Sequence, residues 1–298
     1  MEKAVAIISL LFLLLLGCKG NQEKTAENAN EYSENPSEHL SGKPDTRSEA
    51  LPDSAMAALK GYQYSWSDSG DMPPLVIVID DFGQIGGELL DGFASLPKQV
   101  AFAILPDLPN TRETARLAEK NGHEVLIHIP MQAVGGDNPG KRYIKKGMET
   151  AEISDLLQDF YAQIPNAIAA NNHMGSAVTA DYATTYAVLD ELKELGLKFL
   201  DSATTSKSAV PSAAANLGMK VGRRDIFLDV PDISDATLIS KIQGLGKYKG
   251  RREPVVIITN CHNRNKLTAL QKFLTQIDDM GLELIPPSRL FKSLELPA

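Results

Sequence analysis

The sequence has few of the residues that define several protein classes. It contains two cysteines in 298 residues, Cys18 and Cys261. Cys18 belongs to an N-terminal pattern described below, so Cys261 has no cysteine to pair with. No intrachain disulfide framework is therefore expected. Basic residues are outnumbered by acidic ones, 30 to 38. The net charge of −8 argues against nucleic acid as a partner and against a polybasic membrane patch.

Several catalytic motifs are also missing. The apolar run Leu75–Ile79 is followed by Asp80–Asp81–Phe82–Gly83 instead of the Gly-x-Gly-x-x-Gly turn of dinucleotide-binding folds. No glycine-rich loop followed by lysine is present to hold a phosphate. Ser176 and Ser202 follow predicted strands, but neither lies in a Gly-x-Ser-x-Gly elbow. These absences exclude the commonest nucleotide and serine-hydrolase sites.

The N-terminus has the pattern of a signal peptide. Lys3 precedes an apolar segment, Ala4–Leu16, whose 13 residues are too few for a membrane-spanning helix of about 20. The segment ends in Leu15–Leu16–Gly17–Cys18, which resembles a bacterial lipobox and implies cleavage before Cys18 and acylation of its thiol. An ordinary signal peptide with an incidental cysteine is the alternative. We expect residues 1–18 to be a lipoprotein signal peptide and the protein to be lipid-anchored in a bacterial envelope, facing the periplasm or the exterior.

Residues 19–72 are rich in Glu, Asn, Ser, Asp, Lys and Pro. Such a segment buries too little apolar surface to offset the entropy of ordering it, which predicts a flexible polar tether. Residues 73–298 remain for the folded part, enough for one α/β barrel-like domain.

Apolar runs alternate with helical periodicity through the domain. The predicted strands are Leu75–Ile79, Val100–Leu105, Glu124–Ile127, Ala167–Ala170, Lys198–Leu200, Ile226–Val230, Val255–Thr259 and Leu282–Ile285. This alternation predicts an α/β fold, a distorted or incomplete (β/α) barrel, with a doubly wound open sheet as the alternative.

Polar groups follow or close several of these strands: Asp80, Asp81, His128, His173, Asp201 and His262. If the strands are parallel, these groups gather at one rim, where such folds carry their chemistry. His123 precedes its strand, so we expect it to be structural and to lie at the opposite rim.

One carboxylate with two imidazoles is a typical set of ligands for Zn²⁺ or a similar ion. The remaining carboxylate could accept a proton from water, and an imidazole could give one to a leaving group. A cation would also relieve the repulsion between Asp80 and Asp81. Two alternatives are weaker: a glycosidase pairing Asp80 or Asp81 with Asp201 leaves the histidines unused, and Cys261 and His262, being adjacent, point to opposite sides.

The motifs resemble the divergent polysaccharide deacetylases, relatives of the NodB-homology carbohydrate esterases, over essentially all of Pro73–Leu290. The motifs that carry this resemblance are Ile79–Asp80–Asp81–Phe82–Gly83, Ala103–Ile104–Leu105–Pro106, Gly122–His123–Glu124–Val125–Leu126–Ile127–His128–Ile129–Pro130–Met131, Asn171–Asn172–His173–Met174–Gly175–Ser176, Phe199–Leu200–Asp201–Ser202 and Arg224–Asp225–Ile226–Phe227–Leu228–Asp229.

The resemblance implies roles for individual residues. Asp80 corresponds to the catalytic base and Asp81 to a metal ligand, with His128 as the second ligand. The superfamily's other histidine of this motif is replaced by Gln132, so His173 is the expected substitute. Where the family often has Gly-His-Pro-His, this chain has Thr259–Asn260–Cys261–His262, which leaves His262 as the general acid. The remaining expected site residues are Asp201 in catalysis and Asn172, Ser176 and Arg224 in substrate binding.

The implied reaction is metal-dependent removal of N- or O-acetyl groups from an envelope or extracellular polysaccharide, with Zn²⁺ as the expected ion. The departures at Gln132 and Asn260 keep a second hypothesis open. In it, the protein is a lipid-anchored, glycan-binding or envelope-organising relative that has the same fold and weak or no catalysis.

Overall fold

Eight strands form the sheet in the part of the chain that the computed structural model describes, which is Tyr64 and residues 70–295. They are β1 Leu75–Phe82, β2 Ala101–Ile104, β3 Val125–Met131, β4 Ala167–Met174, β5 Lys198–Asp201, β6 Val221–Arg223, β7 Ile226–Phe227 and β8 Val255–Asn260. Every pairing is parallel, and the order across the sheet is β6-β5-β4-β3-β2-β1-β8-β7.

Helices follow most strands, as a parallel sheet requires. They are α1 Gly87–Ala94, α2 Thr111–Asn121, α3 Thr150–Gln163, α4 Ser176–Thr179, α5 Tyr182–Glu194, α6 Val210–Leu217, α7 Asp235–Leu245, α8 Arg264–Asp279 and α9 Pro287–Glu295, with a 3₁₀ turn at Gly246–Tyr248. Among the described residues, no helix combines the length and the apolar character needed to cross a bilayer.

The sheet curls into an incomplete barrel. Its two edge strands, β6 and β7, are consecutive in the chain and are joined by Arg224 and Asp225 alone. Such a link spans at most about 11 Å, so the two edges come close together. The Arg224 amide donates to the carbonyl of Asp201 on β5, and the Asp225 amide donates to that of Val256 on β8. The predicted distorted or incomplete (β/α) barrel is therefore confirmed, and the open doubly wound sheet is excluded.

Two hydrophobic clusters lie on the two faces of the curled sheet. The larger one packs the helices against the outside of the strands. The smaller one fills the inside and consists of Val76, Val78, Ala101, Ala103, Leu126, Ala169, Leu200, Val256, Ile258, Ile285, Leu290 and Phe291. Because side chains alternate along a strand, Asp80 and His128 share the inner face with Val78 and Leu126. The inside is thus apolar below and polar towards the carboxyl ends of the strands.

Two predicted strands are largely not formed. Leu282–Ile285 forms a single bridge, from Leu284 to Leu75, because Pro286 and Pro287 follow at once and cannot donate to a ladder. The predicted strand Ile226–Val230 ends at Phe227. Strand β6 was not predicted because it has three residues and a glycine, Gly222, at its centre.

Folded contacts begin before Pro73. Tyr64, inside the segment expected to be a tether, is 5% exposed and belongs to the outer hydrophobic cluster. The carbonyl of Asp71 accepts a hydrogen bond from the Gly250 amide. The predicted signal peptide, Cys18 and the rest of the tether lie outside the described residues.

Candidate metal centre at the barrel mouth

A distortion of β1 brings its two aspartates to the same site. Adjacent residues of a regular strand point to opposite faces. The register with β2 shifts between Ile79 and Phe82, and Asp81 has a φ of 69°, in the left-handed region that aspartate tolerates better than most residues. Both carboxylates therefore approach His128, at 3.7 Å from Asp80 Oδ2 and 3.1 Å from Asp81 Oδ1 to its Nε2.

Three side chains from three strands converge at the end of the barrel. Asp81 Oδ1 lies 3.1 Å from His128 Nε2 and 2.9 Å from His173 Nδ1, and the two imidazole nitrogens are 3.2 Å apart. Two ligands of one tetrahedral Zn²⁺, each about 2.0–2.1 Å from it, are about 3.3 Å apart. The three donor atoms therefore have the spacing of one face of a metal tetrahedron, and a carboxylate with two imidazoles fits a divalent ion.

The second oxygen of Asp81 faces a fourth residue. Asp81 Oδ2 is 2.6 Å from His262 Nε2, and the His262 side chain is 46% exposed. His262 thus stands between solvent and the three-residue cluster, in a position where it can meet a substrate and hold a proton. The structure brings together five residues that the sequence analysis predicts for the site: Asp80, Asp81, His128, His173 and His262.

The charges of these groups are strongly coupled. Burial raises the pKa of Asp80 to about 7, against the opposing effect of His128. Burial also opposes ionisation of Asp81, but the electrostatic effect of His173 and hydrogen bonds from the imidazoles hold its pKa well below the usual value. Burial would lower the pKa of His128, but Asp80 and Asp81 outweigh it and raise that pKa to about 9. The cluster therefore combines one carboxylate held ionised with one that can accept a proton near neutral pH.

Both histidines of the three-residue cluster lie inside longer strands than the sequence predicted. Strand β3 continues to Met131 and β4 to Met174, so His128 is in the middle of β3 and His173 is one residue from the end of β4. The register pairs His128 with Asn171 and Pro130 with His173. The imidazoles reach the site from neighbouring inward-facing positions, not from loops after the strands.

Gln132 holds the backbone beside the site. Its Oε1 accepts from the Lys146 amide at 3.0 Å, and its carbonyl accepts from the Ala177 amide at 3.1 Å. It therefore ties the β3–α3 connection to the start of α4, while His173 supplies the second imidazole from β4. The cluster thus has two imidazoles, one from β3 and one from β4, and Gln132 is not part of it.

Asp201 and Asn172 use their polar atoms within the protein. Asp201, 1% exposed, accepts from the Ala203 amide at Oδ1 and from the Ser208 hydroxyl at Oδ2, both at 2.8 Å. Asn172, also 1% exposed, donates to the Met174 carbonyl and accepts from the Ser202 amide. Both shape the loops after β4 and β5, and their expected catalytic and substrate-binding roles stay predictions.

The other two predicted substrate contacts also hold backbone. The Ser176 hydroxyl, 6% exposed as a residue, accepts from the Val134 amide at 2.9 Å. Arg224 donates from Nε to the carbonyl of Ser202, at 2.6 Å, and its guanidinium lies 4.9 Å from the centroid of the Phe227 ring. Contact of Ser176 and Arg224 with substrate remains a prediction.

The weaker alternatives gain no support from the geometry. Cys261 is fully buried, and burial raises the pKa of its thiol well above the usual value, which keeps it protonated and unreactive.

His123 lies between the carbonyls of Val100 and Ala94, 2.9 and 3.0 Å from its ring nitrogens, and stacks on Phe102. As expected, it has a structural position.

Sequence reasoning missed one residue of the site. Asn171 is fully buried and contacts both Asp80 and His128. It lies two residues before His173 on the same strand, so the two side chains share a face. The two-residue spacing from His173 indicates that Asn171 faces the site, but an amide does not titrate and so was not among the residues predicted.

The family comparison agrees with this geometry. The family model described as divergent polysaccharide deacetylase matches residues 77–291. The chain belongs to this family. The matched range contains all five residues that meet at the barrel mouth, from Asp80 to His262.

Two relatives of this chain are similar in sequence. An uncharacterized protein of Haemophilus influenzae is 37% identical over 219 residues, which cover 74% of this chain and 77% of that protein. The uncharacterized protein YibQ of Escherichia coli is 37% identical over 155 residues, and the match spans about half of each protein, 52% and 48%.

A solved structure shares the fold. The crystal structure of the uncharacterized protein ATU2773 from Agrobacterium tumefaciens aligns with a TM-score of 0.68 at 22% identity. The alignment covers 78% of this chain and 94% of that one. At this level of identity, the likeness establishes the fold alone.

Proposed function

We propose that this protein is a metal-dependent hydrolase that removes acetyl groups from a polysaccharide of the bacterial envelope. The observation that carries the proposal is the spacing of Asp81 Oδ1, His128 Nε2 and His173 Nδ1, at 2.9–3.2 Å from one another, beside a second, buried carboxylate. Family membership supports action on a carbohydrate.

Asp81, His128 and His173 would hold the ion, for which Zn²⁺ is our proposal. When bound, such an ion polarises the acetyl carbonyl and makes water easier to deprotonate. Asp80 is next to these ligands and accepts the proton of the attacking water. Its burial favours proton uptake, and the Asn171 amide fixes one of its oxygens at 2.8 Å.

His262 serves as the general acid. It is the most exposed of the histidines around Asp81, and its Nε2 is anchored 2.6 Å from Asp81 Oδ2. When water adds to the acetyl carbon and the C–N bond breaks, the departing nitrogen needs a proton, which His262 donates. Water and an N-acetyl sugar thus give acetate and an amino sugar.

The rim also offers a surface for a sugar. Val134 is 77% exposed, and its amide is bonded to Ser176, three residues after His173. An exposed apolar side chain at the mouth suits the C–H face of a pyranose ring. An envelope glycan is the proposed substrate because the N-terminal pattern predicts a lipid anchor at Cys18, which would hold the domain beside such polymers.

The test is metal content followed by acetate release. We expect the purified protein to bind one divalent ion, and to release acetate from at least one of a panel of N- and O-acetylated glycans. A His128→Ala/His173→Ala variant should lose both, with circular dichroism confirming that it folds. A protein that binds no metal at saturating Zn²⁺ but binds glycan would instead support the non-catalytic hypothesis. That hypothesis is motivated by Gln132, which stands where the superfamily has a histidine.

A further inference from the structure

Asn171 contacts both Asp80 and His128. It lies on β4, directly opposite His128 in the β3–β4 register, and is fully buried. Its Nδ2 donates to Asp80 Oδ1 at 2.8 Å, and its Oδ1 is 2.8 Å from His128 Nδ1. One amide therefore contacts both the proposed base and a proposed ligand.

The structure gives this amide a definite orientation. Its NH₂ group donates to Asp80 Oδ1 at 2.8 Å, and its oxygen lies on the side of His128 Nδ1. The amide oxygen then faces His128 and requires a proton on Nδ1. That assignment leaves His128 Nε2, on the other side of the ring, aimed at Asp81 and His173.

We propose that Asn171 is the positioning residue of the site, which orients Asp80 as base and His128 as ligand through the two ends of one amide. Hydrogen bonds of this kind orient the rings of metal-binding histidines, and their loss typically weakens metal binding or activity by about 10- to 100-fold. Here the same group also determines where the base lies. The inference rests on the proposed function for its catalytic half only.

Two substitutions separate the two ends of the amide. Asn171→Leu has similar size and removes both contacts. Asn171→Asp keeps an oxygen facing His128 but replaces the donor facing Asp80 with a second oxygen. Asn166→Asp is the matched control, because it makes the same change just before the amino-terminal end of β4, far from the rim.

Three measurements are made on each folded protein. They are the Zn²⁺ dissociation constant by chelator competition, kcat and KM for acetate release, and the NMR signal of the Nδ1–H proton of His128. For Asn171→Leu we expect Zn²⁺ affinity to fall about 10- to 100-fold, and the slowly exchanging Nδ1–H signal of His128 to disappear. For Asn171→Asp we expect Zn²⁺ affinity within about threefold of wild type, and kcat at least about tenfold lower at unchanged KM.

The outcomes that overturn the inference are distinct from failure of the proposed function. A folded Asn171→Leu protein that keeps the protected Nδ1–H signal shows that Asn171 does not orient His128, whether or not metal binds. Wild-type kcat in Asn171→Asp shows that it does not position Asp80. If the wild-type protein releases no acetate from any glycan, the proposed function fails, while the ring-proton signal still decides the structural half of the inference.

Discussion

At the scale of single residues, Asp81 is the centre of the site. One of its oxygens faces two imidazoles and the other faces a third. A left-handed backbone lets it turn towards these groups while its neighbour Asp80 stays on the inner face. Two adjacent carboxylates can thus have different roles, because Asp81 is surrounded by three imidazoles, whereas Asp80 is buried beside the amide of Asn171.

The two aspartates should respond differently to the same substitution. We expect Asp81→Asn to weaken Zn²⁺ binding, because an amide is a poorer ligand than a carboxylate. Asp80→Asn should retain the ion and lose turnover, since an amide cannot accept the proton. Chelator competition and acetate release measure the two effects, with the exposed Asp137→Asn as control. Equal Zn²⁺ affinity in wild type and Asp81→Asn would rule out the ligand assignment.

At the scale of elements, the connection between β3 and α3 is fixed by an arginine fork. Arg142 donates from Nε and Nη2 to the two oxygens of Asp107, at 2.8 and 2.7 Å, and from Nη1 to Asp159. Gln163 donates to Asp107 as well. The fork therefore anchors this connection to α3 and to the loop after β2.

This fork should make stability depend on pH. Hydrogen bonds from Arg142 lower the pKa of Asp107, so the ionised form stabilises the fold above the unfolded-state pKa of about 3.9, and this contribution is lost as the pH falls below it. We expect Asp107→Asn to cost about 1 kcal/mol at pH 7, and progressively less below about pH 4. Asparagine tolerates the left-handed φ of 62° at this position.

Urea unfolding of Asp107→Asn and wild type at pH 7 and at pH 3 checks this expectation. Asp137→Asn, an exposed change on the same connection, serves as the control and should leave the unfolding free energy unchanged at both values. A cost for Asp107→Asn that is the same at both pH values would contradict an electrostatic origin.

At the scale of the whole molecule, the barrel is closed below the site by its last helix. Leu290 and Phe291 of α9 are 2% and 3% exposed and belong to the inner cluster. Gly222 on β6 leaves room for this packing, because a Cβ there would lie 2.9 Å from Leu200 and 3.2 Å from Leu290. Small residues on the strands and large ones on α9 together fill the interior.

Truncation inside this cluster should be costly. We expect Leu290→Ala to lower the free energy of unfolding by about 2–5 kcal/mol, because the rigid barrel wall cannot collapse into the space left behind. Leu294→Ala, on the same helix but only partly buried, is the matched control and should cost less. Urea denaturation measures both, and equal losses would show that α9 is not anchored through Leu290.

The predicted anchor is tested on the complete chain in a bacterial host. We expect the wild-type protein to fractionate with membranes, and Cys18→Ser to be released from them, because the thiol that would be acylated is gone. Fractionation of Cys261→Ser, which changes the chain's other cysteine, controls for the substitution itself. Membrane retention of Cys18→Ser would leave an uncleaved apolar segment as the explanation.

The sequence predicted much of this architecture because buried parallel strands are continuous apolar runs, and their ends carry the polar groups. It placed Asp80, Asp81, His128, His173 and His262 at one rim for that reason. The bulge at Asp81 was out of reach, since residue types do not reveal a backbone angle. Strand β6 was too short to produce a pattern. The roles of Asn171 and Gln132 depend on which atoms face each other across strands.

The two-residue link between β6 and β7 has a mechanical consequence. Between these edges, the described residues form no ladder, whereas all other neighbouring strands are joined by backbone hydrogen bonds. The chain itself bridges this gap, and separating the two edges would break the hydrogen bonds from the Arg224 amide to the Asp201 carbonyl and from the Asp225 amide to the Val256 carbonyl. Arg224 and Asp225 therefore hold the two ends of the curled sheet together at the place where no ladder joins them.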